Sequence, residues 1–349
     1  MANWYCTREQ VKRAARINGS DQDSIIDRLI ESEARRIDAE TRRIFIPKTE
    51  TRYYRYPDFN RPGSARLWLD QDCLAVTTFK TKAQDASPTT IAAADYFLEP
   101  VNTPPYNRIE IDLSSSSVFE SGDTPQRSLS VLGRWGYSER TVTAGTLAAA
   151  ISSATATTCT CSDGSLIDVG DALLIETEQI FVSGRANAAS GTTLNGALTA
   201  DKSEVSVPVV LGTSVLAGET ILVDSERMYV QSITSNTLTV IRAYDGSTLA
   251  AHSSGVAVHV FRTLTIERAV NGTTGATHAN ATAISKYQPE RDINSLNIAA
   301  VIAAYQQEQA GWGREVGGGE GAVEFSGRGV ASLRKEVMMN YRKVLTGAI

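Results

Sequence analysis

The chain has 349 residues, 42% of them hydrophobic, which is enough to build two or three domains with buried cores. Its formal net charge is −5 and it has no concentrated basic stripe, which excludes a protein that grips nucleic acid by neutralising phosphates. The sequence contains no run of about 18 apolar residues and no secretory signal pattern, so we expect a protein that starts in the cytoplasm and enters no membrane.

Two helices are predicted near the N-terminus. Thr7 begins a capping box with Gln10, and apolar residues recur on one face until Asn18 and Gly19 end this first helix. Ser20 or Asp21 can cap a longer, amphipathic helix that should run to about Arg43. Its charged face carries acid and arginine pairs at four-residue spacing, which favours a solvated surface over a DNA contact.

A small sheet is predicted after Pro47, where the hydrophobic period changes from helical to alternating. Pro, Gly, Asp and Ser separate the short runs. The composition then shifts to Ala, Thr and Ser, which marks a domain boundary near residue 142. The predicted strands cover residues 51–56, 65–69, 74–80, 96–98, 108–113 and 129–135.

The next segment repeats itself. Residues 170–182 match residues 218–230 in polarity and size, and the run from Thr237 towards His252 returns as the run from Thr263 towards His278. Self-similarity at this period indicates stacked supersecondary units, which are usually scaffolding or contact surface. We therefore predict a β-rich insertion over residues 143–288, with two repeats and a partial third, built from hairpins in small barrel or sandwich modules.

The insertion contains the residues that are the strongest candidates for catalysis or metal binding. Paired acids in the hairpin turns could bind calcium or act as a catalytic acid and base, but they recur because the repeat recurs, so we interpret them as structural. The histidines that follow each repeat are interpreted in the same way. These residues are Glu176, Glu178, Asp224, Glu226, His252 and His278.

The cysteines give no sign of a disulfide framework or a metal site. Cys6 and Cys73 are isolated, and the pair Cys159 and Cys161 has no second pair or nearby histidine to complete a metal site. We therefore predict free thiols, with no cofactor, no metal site and no catalytic residue in the chain.

The C-terminal region returns to helix. Asn294 or Ser295 can cap a buried helix, and the glycine-rich residues 317–329 lack a phosphate-binding motif and suggest a flexible linker. The last helix, from about residue 332 to 345, carries an apolar stripe that must be covered by its own core or by a partner. The stripe consists of Leu333, Val337, Met338, Tyr341, Val344 and Leu345.

The two flanks of the insertion resemble the head-to-tail adaptor, or connector, proteins of tailed bacteriophages. The resemblance rests on the local sequence of residues 7–30 and 34–45 and on the strands that end in Leu-Gly-Arg-Trp-Gly-Tyr at residues 132–137. It also rests on the order of the segments that follow, a helix rich in Ala and Gln and then a closing helix. It covers roughly residues 5–142 and 290–346 and includes no catalytic signature.

The resemblance implies a structural virion protein at the neck, the head-tail junction, and no enzyme. It implies a homo-oligomeric ring, commonly of twelve copies, that docks on the portal protein, meets a tail terminator, stopper or other neck protein, and lets viral DNA pass without specific binding. It also implies that the C-terminal stripe, from Leu333 to Leu345, contacts the portal.

The resulting fold prediction is α+β. It has a helical core with a small sheet over residues 1–142, the all-β insertion over 143–288, and C-terminal helices over 289–349 that complete the core. Because both ends of the insertion must meet the core close together, we expect the insertion to project outward as a separate lobe.

Two other functional classes stay open. An adhesin or carbohydrate-binding module on the β repeats requires exposed aromatic platforms there, whereas the insertion has few aromatics, chiefly Phe181, Tyr229 and Tyr244. A hydrolase requires a buried acid pair outside the repeats within an apolar pocket, and nothing in the flanks singles one out.

Overall fold

The computed structural model describes residues 3–56, 65–310, 315–316, 323–324 and 328–343. Two antiparallel sheets of six and ten strands dominate this part of the chain, which has four α-helices. The predicted helical core with a small sheet is therefore wrong. The physical reason is where apolar side chains are buried: three of the five hydrophobic clusters lie entirely among strands and loops, and the helices cover the remaining two.

The helices follow the sequence pattern with small shifts at their ends. Thr7 forms the predicted capping box: its hydroxyl accepts from the Gln10 amide at 3.2 Å, and its own amide donates to the Gln10 side chain at 3.0 Å. Gln22 is the residue before the second helix, in place of Ser20 or Asp21. The helices are α1 (Arg8–Ala15), α2 (Asp23–Thr41), α3 (Arg291–Gln309) and α4 (Arg328–Tyr341).

The first sheet has the order β1-β6-β2-β5-β4, with β3 paired to β2. Two predicted strands are one long strand, β2, because the polar stretch around Asp72 is a bulge in the strand pairing and not a turn. Asp72 is buried there because Arg43 at 2.7 Å and Lys343 at 3.2 Å neutralise it. The strands are β1 (Lys48–Tyr54), β2 (Arg66–Thr81), β3 (Thr89–Ile91), β4 (Tyr96–Glu99), β5 (Tyr106–Ile111) and β6 (Leu129–Trp135).

The second sheet contains the predicted hairpins. Ala172 pairs with Phe181 in one hairpin, and Thr220 pairs with Tyr229 in the other. The strands are β7 (Thr141–Thr146), β8 (Thr158–Thr160), β9 (Ala172–Ile175), β10 (Glu178–Thr193), β11 (Ser206–Pro208), β12 (Thr220–Val223), β13 (Glu226–Thr234), β14 (Thr237–Ile241), β15 (Ala257–Glu267) and β16 (Ala283–Tyr287). A further short pair is β17 (Glu315–Val316) and β18 (Val323–Glu324).

These ten strands close into two six-stranded barrels. In the outer barrel the order is β8, β15, β10, β9, β16, β7, and the barrel closes where Leu147 pairs with Cys161. In the inner barrel the order is β11, β14, β13, β12, β15, β10, and closure is the pairing of Leu194 with Val209. Each barrel surrounds its own hydrophobic cluster, so each is a packed unit.

Two long strands, β10 and β15, belong to both barrels. Within β15, Val258 and Val260 face the inner core, whereas Leu264 and Ile266 face the outer core. The inner barrel is therefore inserted into the outer one, whose chain resumes at Thr263. The segment predicted as a partial third repeat forms the second half of the outer barrel, which makes two complete units, one nested inside the other.

The insertion does not stand apart from the helices as the expected projecting lobe would. Its two ends do meet, because β7 pairs with β16 and Val142 lies opposite Lys286. However, the Arg8 amide donates to the Val169 carbonyl at 3.0 Å, and the Trp4 ring packs against Gly170, where a β-carbon would lie only 2.3 Å from that ring. Outer barrel and helices thus share buried surface.

Candidate functional site

The acids and histidine of the outer barrel form one buried cluster. Glu178 is fully buried and accepts from Arg268 through both oxygens, at 2.7 and 2.6 Å. The backbone amides of Ala269 and Ala276 donate to it at 3.0 Å each. His278 bridges the cluster to the hairpin turn, with Nε2 2.9 Å from Glu178 and Nδ1 2.8 Å from Glu176.

The inner barrel contains the same cluster. Glu226 accepts from Arg242 at 2.7 and 2.8 Å, and both side chains are fully buried. His252 lies with Nε2 2.9 Å from Glu226 and Nδ1 2.8 Å from Asp224. The amides of Ala243 and Ala250 complete the cluster at 2.9 and 3.2 Å. The duplicated clusters were not predicted as contacts, although the matched spacing of arginine and histidine in the two copies was a signal for them.

The electrostatics of both clusters favour a permanent ion pair. Burial raises the pKa of Glu178, but the hydrogen bonds from Arg268, the Ala276 amide, His278 and the Ala269 amide outweigh it and lower the pKa to about 2. Burial likewise raises the pKa of Glu226, and hydrogen bonds led by the one from Arg242 lower it to about 2. Each carboxylate is thus ionised and fully engaged, which ties the hairpin to the following loop.

The described residues contain no group of three or more His, Cys, Asp or Glu side chains that could hold a metal ion. The side chains of Asp224 and Glu176 are more than half exposed. The buried acids Glu226 and Glu178 instead pair with Arg242 and Arg268. A calcium ion would therefore have to displace a buried guanidinium.

A second duplicated ion pair marks the entry of each hairpin. In the outer barrel, Asp171 pairs with Lys286 at 2.9 Å. In the inner barrel, Glu219 pairs with Arg262 at 2.7 and 2.8 Å. Both carboxylates also accept a backbone amide from three residues earlier, Asp168 or Leu216, at 2.8 Å. Asp171 and Glu219 thus fix the loops that lead into the two hairpins.

All four cysteines are free and buried. Burial raises the pKa of Cys73 and of Cys159 to about 12 and that of Cys161 to about 11, so these sulfurs stay as thiols at neutral pH. Burial also raises the pKa of Cys6. These thiols are part of the packing and are poor nucleophiles.

The apolar stripe predicted on the last helix packs within this chain. Val337 is fully buried, and Leu333, Met338 and Tyr341 pack around it against residues of α2, α3 and the segment after α2. The partners include Ala34, Ile37, Phe45, Ile293 and Leu296. Val344 and Leu345, the last two residues of the stripe, lie outside the described residues.

Contacts hold α4 at its middle and at its C-terminal end. In the middle, Arg334 donates to Glu33 at 2.7 Å and to Glu40 at 2.8 Å. At the C-terminal end, the Tyr341 ring lies edge-on to Tyr137 at 5.4 Å, and the Tyr341 carbonyl accepts from Arg43 at 2.6 Å. The outward face carries Met339, which is 71% exposed. Among the described residues of α4, this face is more exposed than the stripe.

The aromatic residues of the insertion are not arranged as an exposed platform. Phe181 is buried, with its ring 5.3 Å from Trp4. Tyr229 and Tyr244 pack on each other at 5.3 Å and line a cleft beside α1.

No protein-family model, curated protein or solved structure matched this chain. Among the described residues, no helix has the length and apolarity needed to cross a bilayer.

Proposed function

We propose that this protein is a structural component of a tailed-bacteriophage virion, a head-to-tail adaptor whose copies form a ring on the portal and extend the DNA channel towards the tail. The observation that carries the proposal is the closure of the chain's two ends into one core. Tyr5, Phe45, Leu296 and Val337 share a hydrophobic cluster, although the nested barrels separate them in sequence. An adaptor core interrupted by a large insertion requires this closure.

The buried ionic clusters support a structural role over a catalytic one. Their carboxylates are occupied by arginine and backbone amides, and the same arrangement occurs in both barrels. A catalytic acid or base must be able to exchange a proton with a substrate, whereas Glu178 and Glu226 are sealed and held ionised.

The proposed portal contact is made by the outward face of α4 and by the residues that follow it, including Val344 and Leu345. The stripe residues Leu333, Val337, Met338 and Tyr341 contribute indirectly, because they position the helix on α2 and α3. In this arrangement the portal meets Met339 and its exposed polar neighbours.

The charge distribution suits a channel that DNA crosses without being held. From residue 142 to 261 the chain has eleven acidic residues and four Lys or Arg residues, while the net charge of the whole chain is only −5. Weak or repulsive contact with DNA phosphates follows from this balance. A tail terminator, stopper or other neck protein is the proposed partner on the far side of the ring.

Co-sedimentation with the assembled portal ring of the same virus tests this proposal. The wild-type chain should sediment with the ring, and Met339→Glu or deletion of residues 344–349 should abolish this. Val210→Glu is the matched control, since it adds the same charge at an exposed inner-barrel residue. An unchanged urea unfolding midpoint shows that each variant is folded. If the wild-type chain does not sediment with the ring, the proposal fails.

A further inference from the structure

A cleft of about 430 Å³ lies between α1 and the junction of the two barrels. Arg13 and Arg16 come from the helix side, Asp168 and Arg185 from the outer barrel, and Tyr229 from the inner barrel. Cavities of a few hundred Å³ at such junctions are typical of sites for small molecules. The adaptor role gives this cleft no function.

The cleft is basic, although it borders an acidic insertion. Six cationic side chains face four acidic ones in its lining. The cationic residues are Arg8, Lys12, Arg13, Arg16, Arg185 and Arg227, and the acidic residues are Glu9, Asp23, Asp168 and Asp245. An excess of positive charge in a concave site raises the local concentration of small anions.

Two of the arginines have the most capacity to bind an anion. Arg13 has a side chain that is 61% exposed and a single acidic contact, Asp168 at 3.4 Å, which it shares with Arg185. Arg16 pairs with no acid among the described residues, and it ends α1 in a left-handed conformation that turns the chain at the cleft. By contrast, Arg8 is neutralised by Asp23 and Asp27.

The other polar groups of the cleft are already oriented. Arg185 is held by Asp168 at 3.2 Å and by the Phe261 carbonyl at 3.0 Å, while its buried Nε has no hydrogen-bond partner in the described part of the chain. Burial and the repulsion of Asp168 raise the pKa of Glu9. A raised pKa weakens the negative charge that this carboxyl contributes to the cleft.

Aromatic rings form one wall of the cleft. The Tyr229 and Tyr244 rings lie 5.3 Å apart at an interplanar angle of 32°, and the Arg227 guanidinium lies 5.4 Å above the Phe261 ring. Aromatic rings that line a cleft in this way can pack against a planar group. Guanidinium groups nearby match a phosphate, which they can bind through two parallel hydrogen bonds.

We propose that this cleft binds a small aromatic phosphate of the mononucleotide class, with the phosphate between Arg13 and Arg16 and the planar ring on the wall formed by Tyr229 and Tyr244. The proposal does not depend on the adaptor role. The aromatic wall and the cluster of cations each contribute, so neither a phosphate alone nor an uncharged nucleoside should bind as well.

Isothermal titration calorimetry of the full chain with AMP tests this site, with adenosine and inorganic phosphate as the two partial probes. We expect a Kd for AMP below about 1 mM and at least about tenfold lower than for either partial probe. The double variant Arg13→Gln/Arg16→Gln should raise the Kd at least about tenfold. Arg36→Gln is the matched control, since its side chain is 57% exposed on α2, away from the cleft, and it should leave the Kd unchanged.

Three results would overturn the proposal. One is no heat of binding with AMP up to about 1 mM. A second is equal binding of AMP by the wild type and the double variant when both have the same unfolding midpoint. The third is phosphate binding as tight as AMP binding, which would show that the aromatic wall contributes nothing.

Discussion

His278 in the outer barrel occupies the position that His252 occupies in the inner barrel. Each ring joins an exposed turn acid to a buried glutamate, at 2.8 and 2.9 Å in both cases. Both ring nitrogens therefore face carboxylate oxygens, and the histidine closes the hairpin turn onto the loop that carries it. The duplication shows that this contact belongs to the fold of each barrel.

The buried glutamate should be essential to the inner barrel. Glu226→Gln keeps the shape but leaves the buried Arg242 charge with only the more distant Glu204, at 3.9 Å, so we expect the free energy of unfolding to fall by about 3–5 kcal/mol. Glu267→Gln, at an exposed position of β15, is the control and should change it by less than about 0.5 kcal/mol. Urea unfolding measures both, and equal values for the two variants would contradict the structural role of the cluster.

Acid should destabilise the protein through the same glutamates. The pKa of Glu178 and Glu226 is about 2 in the fold, below the ordinary value of 4.5, so their contribution is complete above pH 4.5 and is lost as the pH falls towards 2. Burial raises the pKa of Asp38 to about 6, which acts in the opposite direction and favours the fold as the pH falls through 6. The thermal unfolding midpoint, measured from pH 8 to pH 2, should therefore be highest between about pH 4.5 and pH 6. The single variant Glu178→Gln should flatten the acid limb of this profile, and an unchanged acid limb would contradict the assignment.

The last helix should be part of the core. Val337→Ala removes buried methyl groups between α4 and its neighbours, so we expect a loss of about 2 kcal/mol in the free energy of unfolding. Met339→Ala, at a residue that is 71% exposed, should change it by less than about 0.5 kcal/mol. Chemical denaturation compares the two, and a neutral Val337→Ala would show that α4 does not pack as described.

The inner barrel should fold without the rest of the chain. Its hydrophobic cluster contains only its own residues, and its strands form a closed barrel between Ala188 and Val260. A protein of residues 188–262 should give dispersed amide resonances and one cooperative thermal transition. Poorly dispersed amide resonances and the absence of a cooperative thermal transition would show that the inner barrel needs the outer one to fold.

Local features of the fold could be predicted from the sequence, and long-range ones could not. The Thr7 capping box and the hairpins depend on neighbouring residues, and they form as predicted. The nesting of one barrel inside the other depends on residues far apart in sequence. Glu226 contacts Arg242, sixteen residues away, whereas the equivalent Glu178 contacts Arg268, ninety residues away. No local pattern distinguishes these two spacings, so the second half of the outer barrel looked like an extra repeat.

The prediction of a small sheet failed for a related reason. Asp72 looked like a turn residue, and only its contacts with Arg43 and Lys343, which are distant in sequence, allow it to lie buried within one long strand. The stripe on α4 was visible in the sequence and indicated burial. It could not indicate the covering surface, since an amphipathic pattern is the same whether a helix packs on its own core or on a partner.

A cryo-EM reconstruction of the virion neck tests the proposed function most directly. The account predicts a ring of copies of this chain on the portal, with the outward face of α4 against it and both nested barrels outside the DNA channel. A reconstruction in which the neck contains no density for this chain, or in which the barrels fill the channel, would contradict it.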